Sequence, residues 1–285
     1  MPLYRVSENR RRYFKEYAVN CYRAKDLDDA LMLVESHPDY MVLCGSTDAA
    51  AVLKKKSVSG IIDIHGLSEL RHIETVSDEM RIGALTSITD ILESDEVKAG
   101  LPLLVAASEV FASRQIRNLA TIGGNIANAS PAADLTAVLL VLNATVTLGS
   151  SKGRRVVDLE DLFCGYKCTK LDHEIILDIT IPLKKHGWYY RKTGTRERLN
   201  ITKVSIAVLK GEDGYRVSGA SLNPYASRFR HVEKLLDGGD VSDEKIMKAL
   251  EYDIAPSGSF RSTEAYRRRV ASNMIKEAFL GMKDL

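Results

Sequence analysis

Two short segments of the sequence combine glycine with small polar residues in a pattern that suits anion binding. The first, here called the Gly45 loop, is 44–48 and reads CGSTD, and the second, here called the Gly123 segment, is 121–125 and reads TIGGN. Each precedes a predicted helix, so its backbone N–H groups can point toward a bound anion. Two such segments in one chain favour a long ligand with several phosphates. The alternative is a pair of tight turns that lead into core helices and bind nothing.

The chain after the Gly123 segment leads to a helix whose start is marked by Ser130 and Pro131. Serine is a favoured N-cap residue, and proline suits the first helical position because its missing N–H costs nothing there. Asp134 then lies one turn into the helix, where the positive N-terminal end also favours a carboxylate. Apolar residues follow at helical spacing, and they are Leu135, Val138, Leu139 and Leu142.

The sequence contains no recognisable residue set for acid–base or nucleophilic catalysis. The glycine pair lacks the third glycine of a dinucleotide fingerprint, and neither segment is followed by the lysine of a P-loop. There is no nucleophile-elbow serine and no His-x-x-x-His pair. His65, His72 and His173 stand singly, and we interpret them as structural. A cofactor that carries its own chemistry fits this sequence better than side-chain catalysis.

The composition is that of a soluble globular protein large enough for two domains. The chain has 285 residues, of which 45% are hydrophobic and 27% charged, and its formal net charge is +2. We therefore expect no nucleic-acid partner, and no membrane insertion because the longest apolar run, 137–142, is too short to span a bilayer. Residues 1–17 form a basic arm without a signal-peptide pattern, so a cytoplasmic location is expected. The cysteines Cys21, Cys44, Cys164 and Cys168 are expected to be reduced and to bind no metal.

The hydrophobic pattern alternates short strands and helices up to about residue 182 and then changes. In the first part, helices are predicted at 26–35, 49–55, 87–93 and 103–113, and strands at 40–43, 61–64, 81–85, 145–148, 156–159 and 174–181. After a linker at 184–187, we predict strands at 189–193, 201–210 and 215–222, a hairpin turn at 212–214, and helices at 231–236, 243–252 and 263–281. This order predicts an α+β or α/β first domain, then a domain with a sheet followed by helices.

Motifs along most of the chain resemble those of the FAD-binding (medium) subunit of the molybdenum hydroxylases, the xanthine dehydrogenase and carbon monoxide dehydrogenase flavoprotein family. The family's strongest motif, I-R-N-x-A-T-I-G-G-N followed by A-S-P-x-x-D-L, is matched at nearly every position by 116–125 and 129–135. Weaker motifs agree in chain order, and they lie at 44–48 (A-G-G-T-D in the family), 174–182 (E-I-I to I-P), 190–201 (aromatic-x-K, then R-x-x-x-N-I) and 261–267 (R-x-S/T-x-x-Y-R).

The resemblance implies an α+β fold with a two-part FAD-binding domain of the vanillyl-alcohol-oxidase (PCMH) type, followed by a C-terminal domain with a β-sheet and helices. We expect the FAD-binding domain at 18–183, with parts at about 18–65 and 66–183. The second domain, similar to that of the carbon monoxide dehydrogenase flavoproteins, is expected at 188–285.

The resemblance also implies residues that bind FAD non-covalently. The diphosphate is expected against the backbone amides of the two segments, with Thr47 and Thr121 as additional hydroxyl donors. Asp134 would accept hydrogen bonds from ribityl or ribose hydroxyls. Phe111 and Ile176 would lie beside the isoalloxazine ring, and Lys192 would stabilise the reduced, anionic ring from its edge. The complete expected set is Met41, Val42, Leu43, Cys44, Gly45, Ser46, Thr47, Asp48, Phe111, Ala120, Thr121, Ile122, Gly123, Gly124, Asn125, Asp134, Ile176 and Lys192.

Several of these residues also have purely structural interpretations. Phe111 suits packing in a core, Asp134 suits the start of a helix, and Lys192 suits a solvated strand. Ser46 replaces the second glycine of the family's loop. If that position needs a positive φ, the serine weakens FAD binding, unless its hydroxyl replaces an amide donor.

The same resemblance implies that the chain is one subunit of a larger oxidoreductase. The molybdenum cofactor is expected on a large partner subunit and iron–sulfur clusters on a small one. Electrons would pass from the clusters through FAD to NAD⁺ or another acceptor. The alternatives are a stand-alone flavin-dependent reductase or oxidase of the same fold, and a scaffold subunit that has lost FAD.

Overall fold

The computed structural model describes residues 19–53, 58–196 and 201–282, so the predicted basic arm at 1–17 lies outside the described residues. The strands are β1 Asn20–Arg23, β2 Met41–Leu43, β3 Gly60–Asp63, β4 Ile73–Val76, β5 Glu79–Gly83, β6 Thr145–Ser150, β7 Gly153–Asp158, β8 Phe163–Gly165, β9 Cys168–Thr169, β10 Ile175–Pro182, β11 Gly187–Thr193, β12 Val204–Gly211 and β13 Gly214–Ala220. The helices are α1 Leu27–Ser36, α2 Ala49–Leu53, α3 Ile88–Glu93, α4 Asp95–Gly100, α5 Pro102–Glu109, α6 Arg114–Arg117, α7 Ile122–Ala127, α8 Asp134–Val141, α9 Arg230–Asp237, α10 Asp243–Asp253 and α11 Glu264–Gly281.

The first part of the fold is a parallel sheet in the order β1-β3-β2. Helix α1 forms as predicted because Asp26 caps it, accepting a hydrogen bond from the Asp29 amide at 2.8 Å. Its buried face shares an apolar cluster with Ile62 of β3. Strand β2 ends at Leu43, so the Gly45 loop begins directly at the carboxyl end of this strand.

The second part is an antiparallel sheet in the order β4-β5-β10-β6-β7. Strands β5, β6 and β10 share one large apolar cluster with α3, α5, α7 and α8. Each residue of helix α8 is buried, and all of them except Asp134 and Thr136 are apolar. It lies against β12 and β13, so it joins this part of the molecule to the next.

The third part is the antiparallel sheet β11-β12-β13, followed by α9, α10 and α11. The predicted hairpin turn is confirmed, with Gly214 at φ +98°, a conformation that glycine adopts without strain. Buried residues of β12, β13 and the three helices form a separate apolar cluster around Phe229.

Two helices differ from the sequence prediction at their ends. Helix α8 begins at Asp134 rather than at Ser130-Pro131, so Asp134 is its first residue. The Ser130 hydroxyl instead accepts from the Ala132 amide at 3.3 Å and closes a local turn before the helix. Helix α5 ends at Glu109 instead of 113, because Ala112 takes the left-handed conformation at φ 42°.

The expectation for the cysteines is wrong for one pair. Cys164 and Cys168 form a disulfide across the β8–β9 hairpin, which brings their Cα atoms to 5.3 Å. Cys21 and Cys44 are free thiols. Among the helices that the structure describes, none is long and apolar enough to cross a membrane.

Candidate cofactor site

The structure brings the two glycine-containing segments into direct contact. A Cβ atom on Gly45 would lie 1.8 Å from the carbonyl oxygen of Leu119, so only glycine allows this approach. The Cys44 Sγ lies 3.2 Å from the Thr121 Oγ1, and the Asn128 amide donates to the Asp48 carboxylate. Residues about 80 positions apart along the chain therefore form one site, as two parts of one ligand pocket require.

The Gly45 loop keeps its backbone N–H groups available for a ligand. Within the described residues, the amides of Gly45, Ser46 and Thr47 donate no hydrogen bond. Ser46 takes the left-handed conformation, with φ 54°, and its hydroxyl donates to the Cys44 carbonyl at 3.2 Å. Thr47 and Asp48 are exposed. A left-handed residue within a turn can direct successive N–H groups toward one point, which is the geometry of a backbone anion site.

The Gly123 segment uses its amides inside the protein. Thr121 is the N-cap of α7 and accepts from the Gly124 amide at 3.1 Å. The amides of Ile122 and Gly123 donate to the carbonyls of Thr86 and Ala84 at 3.1 and 2.9 Å, and the Asn125 amide donates to the Thr121 carbonyl at 2.9 Å.

This arrangement corrects one detail of the expected chemistry. The amides of Ile122–Asn125 are satisfied within the chain, so they form the wall of the site and not its anion-binding surface. The Thr121 hydroxyl and the glycine surface at Gly124 remain beside the Gly45 loop. A Cβ on Gly124 would lie 2.9 Å from Thr121 Oγ1 and 3.2 Å from Cys44 Sγ. Side chains would thus close the space between the segments, which fits a site shaped for a diphosphate.

A buried ion pair lies at the start of α8. The Lys192 Nζ, on β11, is 2.6 Å from Asp134 Oδ2, and the two side chains are only 8% and 3% exposed. Lys192 also donates to the Val110 carbonyl at 3.1 Å. The Thr202 hydroxyl lies 2.9 and 2.8 Å from the two Asp134 oxygens. Both charges are therefore compensated, as buried charges must be.

Three further expected residues lie on elements that surround this pair or adjoin α7. Phe111 directly follows Val110, the acceptor for Lys192, and its own carbonyl accepts from Arg117 Nη1 at 2.8 Å. Ala120 and Ile176 are buried, 6% and 5% exposed, in the cluster that also contains α7 and α8.

The remaining expected residues fall on the strand before the loop. Met41–Leu43 form β2, where the chain runs toward the Gly45 loop. The Thr136 hydroxyl of α8 donates to the Asn125 side chain at 3.2 Å and so connects the Gly123 segment to the helix that carries Asp134.

Sequence reasoning missed the residues that hold these groups in place. Asn128 and Lys167 bind Asp48, and Thr202 binds Asp134. Ser221 supports Thr202 by donating to its carbonyl at 2.9 Å. Asn128 lay one helical turn after Gly124 and so was recoverable from spacing. The others come from distant parts of the chain and carried no local signal.

The environment of Asp134 also affects a neighbouring tyrosine. Burial raises the pKa of Tyr190, and the charge of Asp134 raises it further. Tyr190 lies two positions before Lys192 on β11, so both side chains project from the same face of the strand. Its hydroxyl therefore stays protonated at any physiological pH and adds no charge to the ion pair.

A separate cleft of about 640 Å³ opens at the other end of α8. Its lining includes Leu140, Asn143, Arg216 and Arg228, and none of the expected FAD residues. No group of three or more His, Cys, Asp or Glu side chains suited to a metal ion occurs in the ranges that the structure describes.

Comparison with known protein families shows the family of the chain. The model described as "FAD binding domain in molybdopterin dehydrogenase" matches residues 15–184, and "CO dehydrogenase flavoprotein C-terminal domain" matches residues 192–282. The chain belongs to this flavoprotein family. It is the FAD-binding subunit of an oxidoreductase complex of the molybdenum hydroxylase type, which confirms the recognition from the motifs.

Related proteins match this flavoprotein over nearly their whole length. The glyceraldehyde dehydrogenase medium chain of Sulfolobus acidocaldarius is 33% identical over 90% of this chain and 95% of the relative. The xanthine dehydrogenase FAD-binding subunit of Escherichia coli O157:H7 is 31% identical over 90% of this chain and 93% of the relative.

Solved structures confirm the fold class. A chain of the cyanide-inactivated Cu,Mo-CO dehydrogenase superposes with a TM-score of 0.86 at 25% identity, covering 93% of this flavoprotein and 97% of that chain. The carbon monoxide dehydrogenase of Hydrogenophaga pseudoflava that lacks the Mo-pyranopterin moiety gives 0.86 at 28% identity over the same shares. The fold is thus the expected two-part FAD-binding domain followed by a sheet-and-helix domain.

Proposed function

We propose that this flavoprotein receives electrons from iron–sulfur clusters of a partner subunit and passes them through FAD to NAD⁺ or another acceptor. One observation carries the proposal. Helices α7 and α8 link the Gly45 loop, whose amides are unpaired, to the buried Asp134–Lys192 pair. The proposed site for the FAD phosphates and the proposed site for its ring are therefore fixed relative to each other.

Within this site, the two segments 44–48 and 121–125 hold the FAD diphosphate. The amides of Gly45, Ser46 and Thr47 donate to it, and Thr121 borders it. Asp134 retains acceptor capacity for one FAD hydroxyl, because a carboxylate has about four lone-pair sites and the ion pair and Thr202 occupy only part of them. Phe111 and Ile176 would line the isoalloxazine ring, and Lys192 would supply a fixed positive charge near it. FAD, when bound, supplies the redox chemistry that the side chains lack.

The partners follow from the names of the relatives. Medium chains and FAD-binding subunits are components of glyceraldehyde, xanthine and carbon monoxide dehydrogenases. We therefore assign a molybdenum-binding large subunit and an iron–sulfur small subunit as partners, in the cytoplasm. The proposed boundaries are 18–183 for the FAD-binding domain and 188–285 for the second domain, and they are supported by the apolar cluster that the sheet and helices of the second domain share.

Flavin content tests the cofactor assignment. The purified full-length chain is expected to be yellow and to release about one FAD per chain on denaturation, identified by mass spectrometry. A folded, colourless preparation that takes up no added FAD would contradict the assignment and favour a scaffold subunit.

The composition of the native complex tests the partners. Pull-down from the source cells is expected to recover one molybdenum-containing and one iron–sulfur chain, measured by metal analysis of each band. Recovery of a flavin-loaded chain alone, with acceptor reduction by itself, would favour a stand-alone reductase.

A further inference from the structure

The β8–β9 hairpin lies beside the Gly45 loop and carries a lysine to it. Lys167, at the turn of the hairpin, places its Nζ 3.7 Å from Asp48 Oδ2. Asp48 also accepts a hydrogen bond from Asn128 of α7. Three separate segments of the chain thus meet at one carboxylate on the rim of the proposed diphosphate site.

Because Asp48 is negatively charged, a neighbouring cation would favour the binding of an anion at this position. A carboxylate beside a diphosphate repels it, and both groups are partly exposed to water here, where such effects are moderate. Lys167 offsets the charge of Asp48 and adds attraction for the diphosphate. The carboxylate and the lysine therefore act on the ligand together, with Lys167 cancelling the repulsion from Asp48.

The position of Lys167 depends on a closed ring of five residues. The disulfide between Cys164 and Cys168 closes this ring, and Lys167 inside it takes the left-handed conformation at φ 51°. A lysine persists in that conformation only when its surroundings enforce it. Both cysteines are exposed, so a soluble thiol can reach the bond. In a reducing compartment, accessible disulfides are commonly transient and regulatory.

We propose that Lys167 is an additional cation of the diphosphate site and that the Cys164–Cys168 pair is a redox-modification site that controls it. An external dithiol attacks the disulfide, the S–S bond breaks, and both cysteines become thiols while the dithiol becomes a disulfide. Two electrons and two protons pass to the chain in this exchange. The opened hairpin releases Lys167 from Asp48 and weakens FAD binding. This inference rests on the proposed placement of FAD.

The test measures FAD affinity of the full-length chain, freed of flavin, by quenching of flavin fluorescence. Dithiothreitol serves as the dithiol probe. Reduction is expected to weaken binding by about threefold, the range of an exposed ion pair. Lys167→Gln is expected to weaken binding by about the same factor and to abolish the response to reduction. Lys170→Gln removes the same charge from an exposed position just outside the ring and is expected to behave as the unchanged chain.

A double variant separates the hairpin from the free thiol of Cys44 in the loop. Cys164→Ser with Cys168→Ser is expected to bind FAD with the weaker affinity under both conditions, with no response to dithiothreitol. A response that persists in this variant would show that the effect does not come from the hairpin disulfide and would overturn the inference. Equal FAD affinity in all variants would also overturn it, while leaving the proposed function intact. A chain that binds no FAD in any state would instead refute the proposed function.

Discussion

The Gly45 loop and the Gly123 segment face each other across one site, yet they use their backbones in opposite ways. The loop is partly exposed, contains the left-handed Ser46, and has amides that no group in the described chain accepts. The segment caps a buried helix, and its amides are bound by Thr86, Ala84 and Thr121. The two motifs look alike in sequence, but one offers a ligand surface and the other a structural wall. Glycine therefore belongs to a ligand surface in the Gly45 loop and to a structural wall in the Gly123 segment.

The first prediction concerns the wall and carries the largest expected effect. A Cβ on Gly123 would lie 2.6 Å from the Ala84 Cβ and 2.7 Å from the Ala84 carbonyl oxygen. Gly123→Ala is expected to lower the free energy of unfolding by about 3 kcal/mol, at the upper end of typical overpacking costs. Urea denaturation of the two proteins measures the difference.

Gly281→Ala is the control for this substitution, because no atom lies within 4 Å of its Cβ position. It is expected to leave the unfolding free energy nearly unchanged. If Gly123→Ala were as stable as this control, the segment would have room to move and would not be the rigid wall described above.

The second prediction tests whether the buried wall of the site extends to the Asp134–Lys192 ion pair. Thr202→Val keeps the side-chain shape but removes a hydroxyl that lies within hydrogen-bond distance of both Asp134 oxygens. A hydrogen bond to a buried charge is worth about 1.5–3 kcal/mol, so a loss of about 2 kcal/mol in unfolding free energy is expected. The flavin absorption spectrum should also shift, since Asp134 and Lys192 lose their fixed position.

Thr75→Val, on the exposed strand β4, provides the matched control and is expected to change neither quantity. Unchanged stability in Thr202→Val would mean that Lys192 alone satisfies the carboxylate. The ion pair would then not depend on the Thr202 hydroxyl.

The sequence predicted much of the site because its motifs are local. The Gly45 loop follows the predicted strand and Asp134 lies on the predicted helix, and their recognition required only short-range spacing. The Gly123 segment instead caps and forms the short helix α7, which patterning did not predict. The orientation of the amides was not predictable, because the acceptors at Ala84 and Thr86 come from another strand end. The disulfide was missed for a similar reason, since two cysteines four positions apart pair only if a hairpin brings them together.

The third prediction concerns the Gly45 loop, and its main readout is FAD affinity and not the free energy of unfolding. Gly45→Ala would bring a Cβ to 1.8 Å from the Leu119 carbonyl oxygen, so the loop must retreat from the Gly123 segment. Because the loop is partly exposed, it can retreat at small cost to folding. FAD affinity is expected to fall about tenfold, or about 1.4 kcal/mol, with an unfolding free energy within about 1 kcal/mol of the original.

Gly66→Ala controls for the glycine change, since its Cβ would make only an ordinary contact at 3.8 Å with Arg23. It should bind FAD normally. Should Gly45→Ala instead lose stability and retain its affinity, the roles assigned to the loop and the segment would be reversed.

The last prediction asks what Ser46 contributes at φ 54°. Ser46→Gly removes the strain of a left-handed serine, which is about 1 kcal/mol. It also raises the conformational entropy of the unfolded chain, which opposes folding by a comparable amount. The unfolding free energy is therefore expected to stay within about 0.5 kcal/mol, and FAD affinity to stay equal or rise by up to about threefold. Ser77→Gly is the control, because Ser77 has φ 55° in an exposed turn far from the loop along the chain.

Ser46→Ala separates strain from hydrogen bonding at the same position. It keeps the Cβ and removes the hydroxyl, which donates to the Cys44 carbonyl. Because that hydroxyl is engaged within the loop, Ser46→Ala is expected to bind FAD as the unchanged chain does. A clear loss of affinity in Ser46→Ala, without a loss in Ser46→Gly, cannot arise from the hydroxyl alone, since both variants lack it. It would show that a methyl group at a left-handed position distorts the loop once the bond to Cys44 is gone. The serine would then be tolerated in place of glycine because its hydroxyl holds the turn that presents the amides.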